Sequence, residues 1–327
     1  MSGTRSVPMA AAGLCQAGAG MWRHQGLDFE SPFPLGEPLP PGSPVDVVVR
    51  VGGTKPVGVD VPGPVVADYA TPDRSFYTVY ATGDGYLVRF HGQCEFLVNA
   101  DGSKVVCEPG PGCDEGILAV LLVGTVTALL LCLRGYAVLH GSAVTWAGQT
   151  VLFAGHSGSG KTTLAALCCA AGAQLVTDDV VPLTRAGDGF FCVGLSRELR
   201  LRDAARVVAG LFPSPGPACR PTADGRLAIR PPAADNEANL VSAVVLPRPD
   251  REARDVSMAV VSPAKAVLLL LANARIPSMV LAPMQAAYFE VVADLAQQVP
   301  VVEAIVPWGP PFTTAFVPGL LGSLGGG

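Results

Sequence analysis

Short alternating runs of apolar and polar residues mark the first third of the chain. Between residues 31 and 112 they predict strands at 45–51, 76–81, 86–90, 95–99 and 104–107, with Asp101-Gly102 as the turn of a hairpin. Prolines recur from Pro32 to Pro64 and disfavour helix there, because proline lacks the amide hydrogen that a helix needs. We therefore predict a small β-rich module at 31–112. Residues 1–30 start with an Ala-, Gly- and Ser-rich stretch and are predicted to be disordered.

After residue 112 the apolar runs become longer. Residues 117–133 carry no charged side chain and would suit either a membrane span or a core helix. Gly124, Thr125 and Thr127 interrupt the run and no aromatic belt flanks it, which favours the core helix.

Strands and helices then follow one another along the chain. The pattern predicts strands at 137–145, 150–153, 174–183, 190–193, 240–246 and 301–305, and helices at 164–171, 263–275 and 283–298. We interpret residues 113–308 as one α/β domain and residues 309–327 as a flexible tail.

Residues 155–163 form the most specific functional motif in the sequence. They fit G-x-x-x-x-G-K-[ST] between a predicted strand and a predicted helix. Glycines let backbone N–H groups turn inward, and the helix aims its positive end at the same point. A Gly/Ser-rich surface turn is the alternative in a chain with 38 glycines, but Lys-Thr at this place favours a phosphate-binding loop. The candidate nucleotide-binding residues are Gly155, Ser157, Gly158, Ser159, Gly160, Lys161, Thr162 and Thr163.

Two adjacent carboxylates, Asp178 and Asp179, end the strand that follows the loop helix. In an α/β sheet that end faces the ligand crevice. Lys161 can reach the β- and γ-phosphates, and the Thr162 hydroxyl can hold Mg²⁺. One of the two carboxylates can hold the metal while the other accepts a proton. An Asp-Asp turn that merely caps the strand is the alternative.

A hairpin register adds a further candidate. Residues 146–149 form a turn between two strands, and pairing Thr145 with Thr150 would place His140 opposite Gly155. We therefore expect His140 at the mouth of the phosphate-binding loop.

Composition narrows the class of protein. The net charge of −5 and the lack of a basic stripe with aromatic residues argue against a nucleic-acid partner. Nine cysteines without a C-x-x-C pair, and no signal peptide, indicate a reducing cytoplasm.

We interpret Arg200, Arg202 and Arg226 as solvated surface residues, with binding of a substrate or its phosphate as the alternative. Whether the chain is a monomer or a homo-oligomer is left open.

Three blocks, residues 139–144, 155–162 and 172–179, together resemble the core of HPr kinase/phosphorylase in order and spacing. The resemblance implies a mixed sheet around the loop, related to that of phosphoenolpyruvate carboxykinase. It also implies that Asp179 is the general base toward a serine hydroxyl, that Asp178 lies on the Mg²⁺ side, and that His140 tunes the base.

The chain also departs from that family. Thr162-Thr163 stands where the family carries Ser-Glu, and residues 197–202 stand where it carries Arg-Gly-Leu-Gly. The chain looks more similar to the shorter HPr-kinase-like proteins of ribosomal peptide biosynthesis, including lasso-peptide tailoring kinases. The leading hypothesis is an ATP- and Mg²⁺-dependent kinase that acts on a hydroxyl, first of all serine, of a peptide or small protein. The alternatives are an HPr(Ser) kinase/phosphorylase that regulates carbon metabolism and a nucleotide-binding module without catalysis.

Overall fold

The computed structural model describes residues 19–193, 196–235, 238–277 and 282–324. Within these ranges the protein is a mixed α/β structure with three sheets. Two of the sheets have nine strands each, and the third has three.

The first sheet is formed by the strands between residues 20 and 109, in the order β3-β1-β2-β4-β9-β8-β7-β6-β5. It contains all five strands predicted for this part of the chain, and Asp101 and Gly102 lie in the turn between β8 and β9. Alternate residues such as Val47 and Val49 are buried, as expected of a half-buried strand. The strands are β1 Gly20–His24, β2 Leu27–Ser31, β3 Glu37–Pro38, β4 Val47–Val51, β5 Val65–Thr71, β6 Arg74–Thr82, β7 Gly85–Phe90, β8 Cys94–Asn99 and β9 Lys104–Pro109.

The prediction of disorder for residues 1–30 is wrong for residues 20–30, which form the hairpin of β1 and β2. Leu27 and Phe29 point into the core, and Gln25 and Gly26 make the tight turn with φ of 53° and 76°. Burial of two large apolar side chains offsets the entropy of ordering this segment. The part of that prediction that covers residues 1–18 lies outside the described residues.

The long apolar run forms one helix that the structure divides into α1 Glu115–Leu121, a π-helical turn Leu122–Val126 and α2 Thr127–Leu133. By length and composition this helix could cross a membrane, but 56% of its apolar window is buried inside the protein. Its buried side chains belong to the same core as those of the first sheet. The helix therefore packs against the first sheet, although the predicted division at residues 112 and 113 assigned it to the domain that follows.

The second sheet carries the glycine-rich loop and has the order β10-β14-β15-β19-β12-β11-β13, with β21 beside β19 and β20 beside β21. The predicted pairing of Thr145 with Thr150 is confirmed. Strands β12 and β13 both run antiparallel to β11, so Ala154 and Asp178 lie at the same end of the sheet. These strands are β10 Ala137–Leu139, β11 Gly141–Trp146, β12 Gln149–Ala154, β13 Gln174–Asp178, β14 Val181–Ala186, β15 Gly189–Val193, β19 Ala238–Asp250, β20 Ser257–Val260 and β21 Val301–Pro307.

The third sheet lies beside this end of the second sheet and has the order β16-β18-β17. Its strands are β16 Leu199–Leu201, β17 Ala218–Pro221 and β18 Leu227–Arg230. The remaining helices are α3 Lys161–Ala170, a 3-10 helix Asp203–Leu211, α4 Pro263–Leu271, α5 Ala282–Gln298 and α6 Val317–Gly322.

The predicted flexible tail at residues 309–327 is also wrong in part. Helix α6 buries Val317, Leu320 and Leu321 in the same core as α3. These three residues follow helical spacing, so one face of a short helix can be removed from water. Residues 325–327 lie outside the described residues.

Candidate functional site

The loop between β12 and α3 depends on its glycines. Gly158 and Gly160 have φ of 89° and 84°, a region that glycine adopts without the steric cost of a side chain. A Cβ atom on Gly160 would lie 2.6 Å from the ring of Trp308, and one on Gly155 would lie 2.5 Å from Ser159 Oγ. Only glycine therefore fits these two positions.

Lys161 is held at the centre of this loop. Its ammonium group donates to the carbonyl oxygens of Gly155 (2.7 Å) and His156 (2.8 Å), and the residue is 6% exposed. Burial lowers the pKa of Lys161 to about 8. The Ser159 hydroxyl is buried beside it without a hydrogen-bond partner among the described residues. A buried cation, an unsatisfied hydroxyl and a glycine-rich loop at a helix N-terminus together suit a phosphate group.

Asp178 is fixed by two hydroxyl groups from different elements. Its Oδ1 atom accepts hydrogen bonds from Ser142 Oγ on β11 (2.6 Å) and from Thr162 Oγ1 on α3 (2.8 Å). Its Oδ2 atom lies 3.4 Å from the backbone N–H of Arg200. Burial raises the pKa of Asp178 even though the two hydroxyl hydrogen bonds act in the opposite direction. The structure thus brings together Thr162 and Asp178, the two residues predicted to hold a metal.

One hydroxyl and one carboxylate fit the needs of Mg²⁺, which proteins commonly hold through one or two carboxylates while phosphates and water complete its shell. Among the described residues no group of three or more His, Cys, Asp and Glu side chains could hold a metal on its own. Thr162 and Asp178 are therefore suited to a cation that arrives with a nucleotide.

Asp179 has a φ of 69°, which turns the chain directly after the strand, and its carboxylate contacts other side chains than that of Asp178. Its Oδ2 atom lies 3.0 Å from Arg275 Nη2 and 3.4 Å from Arg200 Nη2, and its Oδ1 atom lies 3.5 Å from His140 Nε2. Burial would raise the pKa of Asp179, but the charges of Arg275 and Arg200 outweigh it and hold the pKa well below its usual range. The two adjacent carboxylates therefore differ in electrostatic environment.

His140 lies between β10 and β11, directly before Gly141, which pairs with Ala154 at the end of the strand that leads into the loop. Burial lowers the pKa of His140 to about 3, although Asp179 acts in the opposite direction. The imidazole is therefore neutral at pH 7, and it influences Asp179 as a polar group and not as a positive charge.

Several residues of the site carry little signal in the sequence. Arg200 bridges Asp179 and Asp224 and its side chain is only 15% exposed, so its interpretation as a solvated surface residue is wrong. Arg202 donates to Ser157 Oγ in the loop (3.0 Å). These contacts arise because the third sheet folds back over the carboxylates, which local sequence patterns do not reveal.

Arg275 was missed altogether, because it is a single arginine after the apolar helix α4. It contacts the long helix at its π-helical turn, where Arg275 Nη1 lies 3.4 Å from Thr125 Oγ1. A Cβ on Gly124 would lie 3.1 Å from Arg275 Nη2 and 3.5 Å from Asp179 Oδ2. Gly124 and Thr125, which interrupt the apolar run, thus face the candidate site.

The chain is similar to known proteins only at the level of structure. No family model matches the chain, and no curated protein matches it. Among solved structures, the chain is similar to the HPr(Ser) kinase/phosphatase from Coxiella burnetii, at 12% sequence identity and a TM-score of 0.28. The alignment covers 57% of this chain and 92% of that chain.

The ion pair between Arg275 and Asp179 should make stability depend on pH. Because the pKa of Asp179 is lowered on folding, its contribution is present above the unfolded pKa of about 4 and is lost as the pH falls below it. We expect Arg275→Ala to lower the free energy of unfolding by about 2–4 kcal/mol at pH 7 and by less at pH 3. Urea unfolding across pH measures this difference.

Arg185→Ala is the matched control, because Arg185 forms an exposed ion pair with Asp294. It should cost less than about 1 kcal/mol at either pH. An equal loss in the two variants, or a loss in Arg275→Ala that does not vary with pH, would contradict the assignment.

Proposed function

We propose that the chain is a phosphotransferase that carries the γ-phosphoryl group of ATP to a hydroxyl, first of all serine, of a peptide or small protein. The observation that carries the proposal is the contact between Asp178 and Thr162 at the start of α3. It joins the carboxylate strand to the glycine-rich loop beside the buried ammonium of Lys161. A loop that only bound a nucleotide, without catalysing transfer, would not need Asp179. This second carboxylate follows Asp178 directly and is held by two arginines.

The donor would be held by the loop. Backbone N–H groups of residues 155–163 and the Ser159 hydroxyl would face the phosphates, and Lys161 would leave its two carbonyl partners to contact the β- and γ-phosphates. Thr162 and Asp178 would hold Mg²⁺, which when bound neutralises charge on the phosphates. Two further predicted nucleotide-binding residues lie nearby. Thr163 follows Thr162 on α3, and Ser157 Oγ accepts a hydrogen bond from Arg202.

The transfer requires one bond to form and one to break. The acceptor oxygen forms a bond to the γ-phosphorus, the bond from that phosphorus to the β,γ-bridging oxygen breaks, and ADP leaves with the electron pair. Asp179 accepts the hydrogen bond of the acceptor hydroxyl and takes its proton as the new ester forms. Because its pKa is low, Asp179 acts chiefly by orienting the hydroxyl, which is sufficient when little nucleophilic activation is required.

The same low pKa favours a second candidate, a nucleotide-binding module without phosphoryl transfer. In that case Arg275 and Arg200 would serve only to fix the turn after β13. Transfer of label from ATP to any hydroxyl separates the two candidates. An HPr(Ser) kinase/phosphorylase differs from the leading proposal in its acceptor and in phosphorolysis, so the reverse reaction with inorganic phosphate distinguishes it.

The setting that we propose is the cytoplasm, in the tailoring of a ribosomal peptide such as a lasso peptide. The eight cysteines that the structure describes are all free thiols, which suits a reducing compartment.

Substitution of the two carboxylates should give different defects. Asp178→Asn should weaken ATP binding and its dependence on Mg²⁺, because Asp178 contacts the loop. Asp179→Asn should leave ATP binding intact and slow transfer by about 10²–10⁴. Lys161→Ala should reduce turnover by about 10²–10³ at saturating ATP. Calorimetric titration with Mg²⁺-ATP and transfer to a serine peptide library measure both properties. Equal loss of ATP binding in both Asp variants would refute the division of labour.

ATP binding should also take up a proton through Lys161. With a pKa of about 8, Lys161 is mostly neutral at pH 8.5 in the free protein, and the phosphates would favour its charged form. Proton uptake should therefore be seen at pH 8.5 and should fall toward pH 7, where the lysine is already charged. Titration in buffers of different ionisation enthalpy measures it.

Lys161→Arg is the control, because arginine is charged at every pH used. It should bind ATP without proton uptake. The same uptake in wild type and Lys161→Arg would show that another group takes the proton.

A further inference from the structure

A large cleft opens onto the two carboxylates. It has a volume of about 1320 Å³, and Asp178, Asp179 and Arg200 are among the residues that line it. Of the described residues that line it, none belongs to the loop Gly155–Thr163. Since Asp178 contacts Thr162 through one oxygen and faces Arg200 with the other, the carboxylates lie between the loop and the cleft. The cleft thus approaches the site of transfer from a side that the donor does not use.

Three separate parts of the chain form the walls. One wall is the first sheet with its connections (residues 30–38, 49–54 and 109–113), the second is residues 115–123 of the long helix, and the third is the three-stranded sheet. The volume exceeds the roughly 300–1,000 Å³ of sites for small molecules. The cleft therefore has room for several residues of a polypeptide.

The first sheet is anchored beside the carboxylates. The Gln25 side chain at the tip of the β1–β2 hairpin is 1% exposed, and its amide nitrogen lies 2.7 Å from Thr177 Oγ1, one residue before Asp178. His24 lies next to Gln25 and its Nε2 atom is 3.2 Å from the carbonyl oxygen of Val123 in the long helix. The wall formed by the first sheet is thus held in a fixed position relative to the site of transfer.

The walls differ in chemistry. The first sheet and the long helix contribute accessible apolar side chains at Pro34, Val51 and Val120, whereas the third sheet contributes arginines. The glutamates of the first sheet that line the cleft, Glu30 and Glu37, are each paired with an arginine. Arg220 Nη2 lies 2.6 Å and Arg230 Nε 2.9 Å from the carboxylate of Glu198, so two guanidinium charges share one carboxylate. Both arginine side chains are more than half exposed. This wall carries excess positive charge that can attract a second carboxylate.

We propose that this cleft is the acceptor site and that it takes an extended acidic peptide. The peptide's serine would lie at Asp179, apolar side chains would pack on the first sheet and the long helix, and an Asp or Glu side chain would bind Arg220 and Arg230. The proposal rests on the phosphotransferase function proposed above and gives the first sheet a role in selecting the acceptor.

The test is a positional-scanning library of peptides with one serine, blocked termini and labelled ATP. Wild type should favour Asp or Glu at a defined position from the serine by about tenfold, the effect of one hydrogen bond between charged groups. The variant with both Arg220→Glu and Arg230→Glu should prefer Lys or Arg at that position. Arg185→Glu, a charge reversal remote from the cleft, should keep the acidic preference.

Two negative outcomes of this test have different meanings. If no peptide is labelled, or labelling is the same in Lys161→Ala, the phosphotransferase function itself is wrong. If labelling requires Lys161 but shows no acidic preference, or the preference survives the double charge reversal, only the acceptor site is wrong. Should circular dichroism show that the reversed charges unfold the protein, Arg220→Gln and Arg230→Gln replace them and should abolish the preference.

Crosslinking locates the peptide independently. A preferred peptide that carries benzoylphenylalanine beside the serine should crosslink to residues 30–38 or 115–123 when irradiated with the full chain. Crosslinks that lie only outside the three walls of the cleft would overturn the proposal.

Discussion

The hydrogen bonds of Asp178 to Ser142 and Thr162 are the constraint on which the site depends. They join three elements, β11, β13 and α3, at the end of one sheet. Because β12 and β13 run in the same direction, the glycine-rich loop and the carboxylates emerge together. Removing Asp178 would leave two hydroxyls without their acceptor and would remove the side-chain hydrogen bond that joins the start of α3 to β13.

A second layer of contacts gives the two adjacent carboxylates different environments. The positive φ of Asp179 turns its side chain toward Arg275 and Arg200, whereas Asp178 stays in the strand. Arg275 in turn contacts Thr125 on the long helix, which packs with the first sheet. The site is therefore supported by the first sheet as well as by the sheet that carries the loop.

The sequence predicted those features that depend on contacts between residues close together in the chain. It did not predict those that depend on contacts between distant segments. The loop and the pairing of Thr145 with Thr150 depend on neighbours in the chain, and the pairing was predicted correctly. The environments of Arg200 and Arg275 depend on segments that are distant in sequence, so no local pattern indicates them. The hairpin at residues 20–31 was missed because its stability comes from Leu27 and Phe29 in a core that other strands complete.

The central claim is that Thr162 and Asp178 hold a divalent cation together with a nucleoside triphosphate. The most direct measurement is a crystal structure with a non-hydrolysable ATP analogue and Mn²⁺, located by its anomalous scattering. The account predicts a single strong anomalous peak beside Thr162 Oγ1 and Asp178, with the triphosphate in the loop and Lys161 turned toward it. A triphosphate bound elsewhere, or Mn²⁺ located away from both residues, would contradict it.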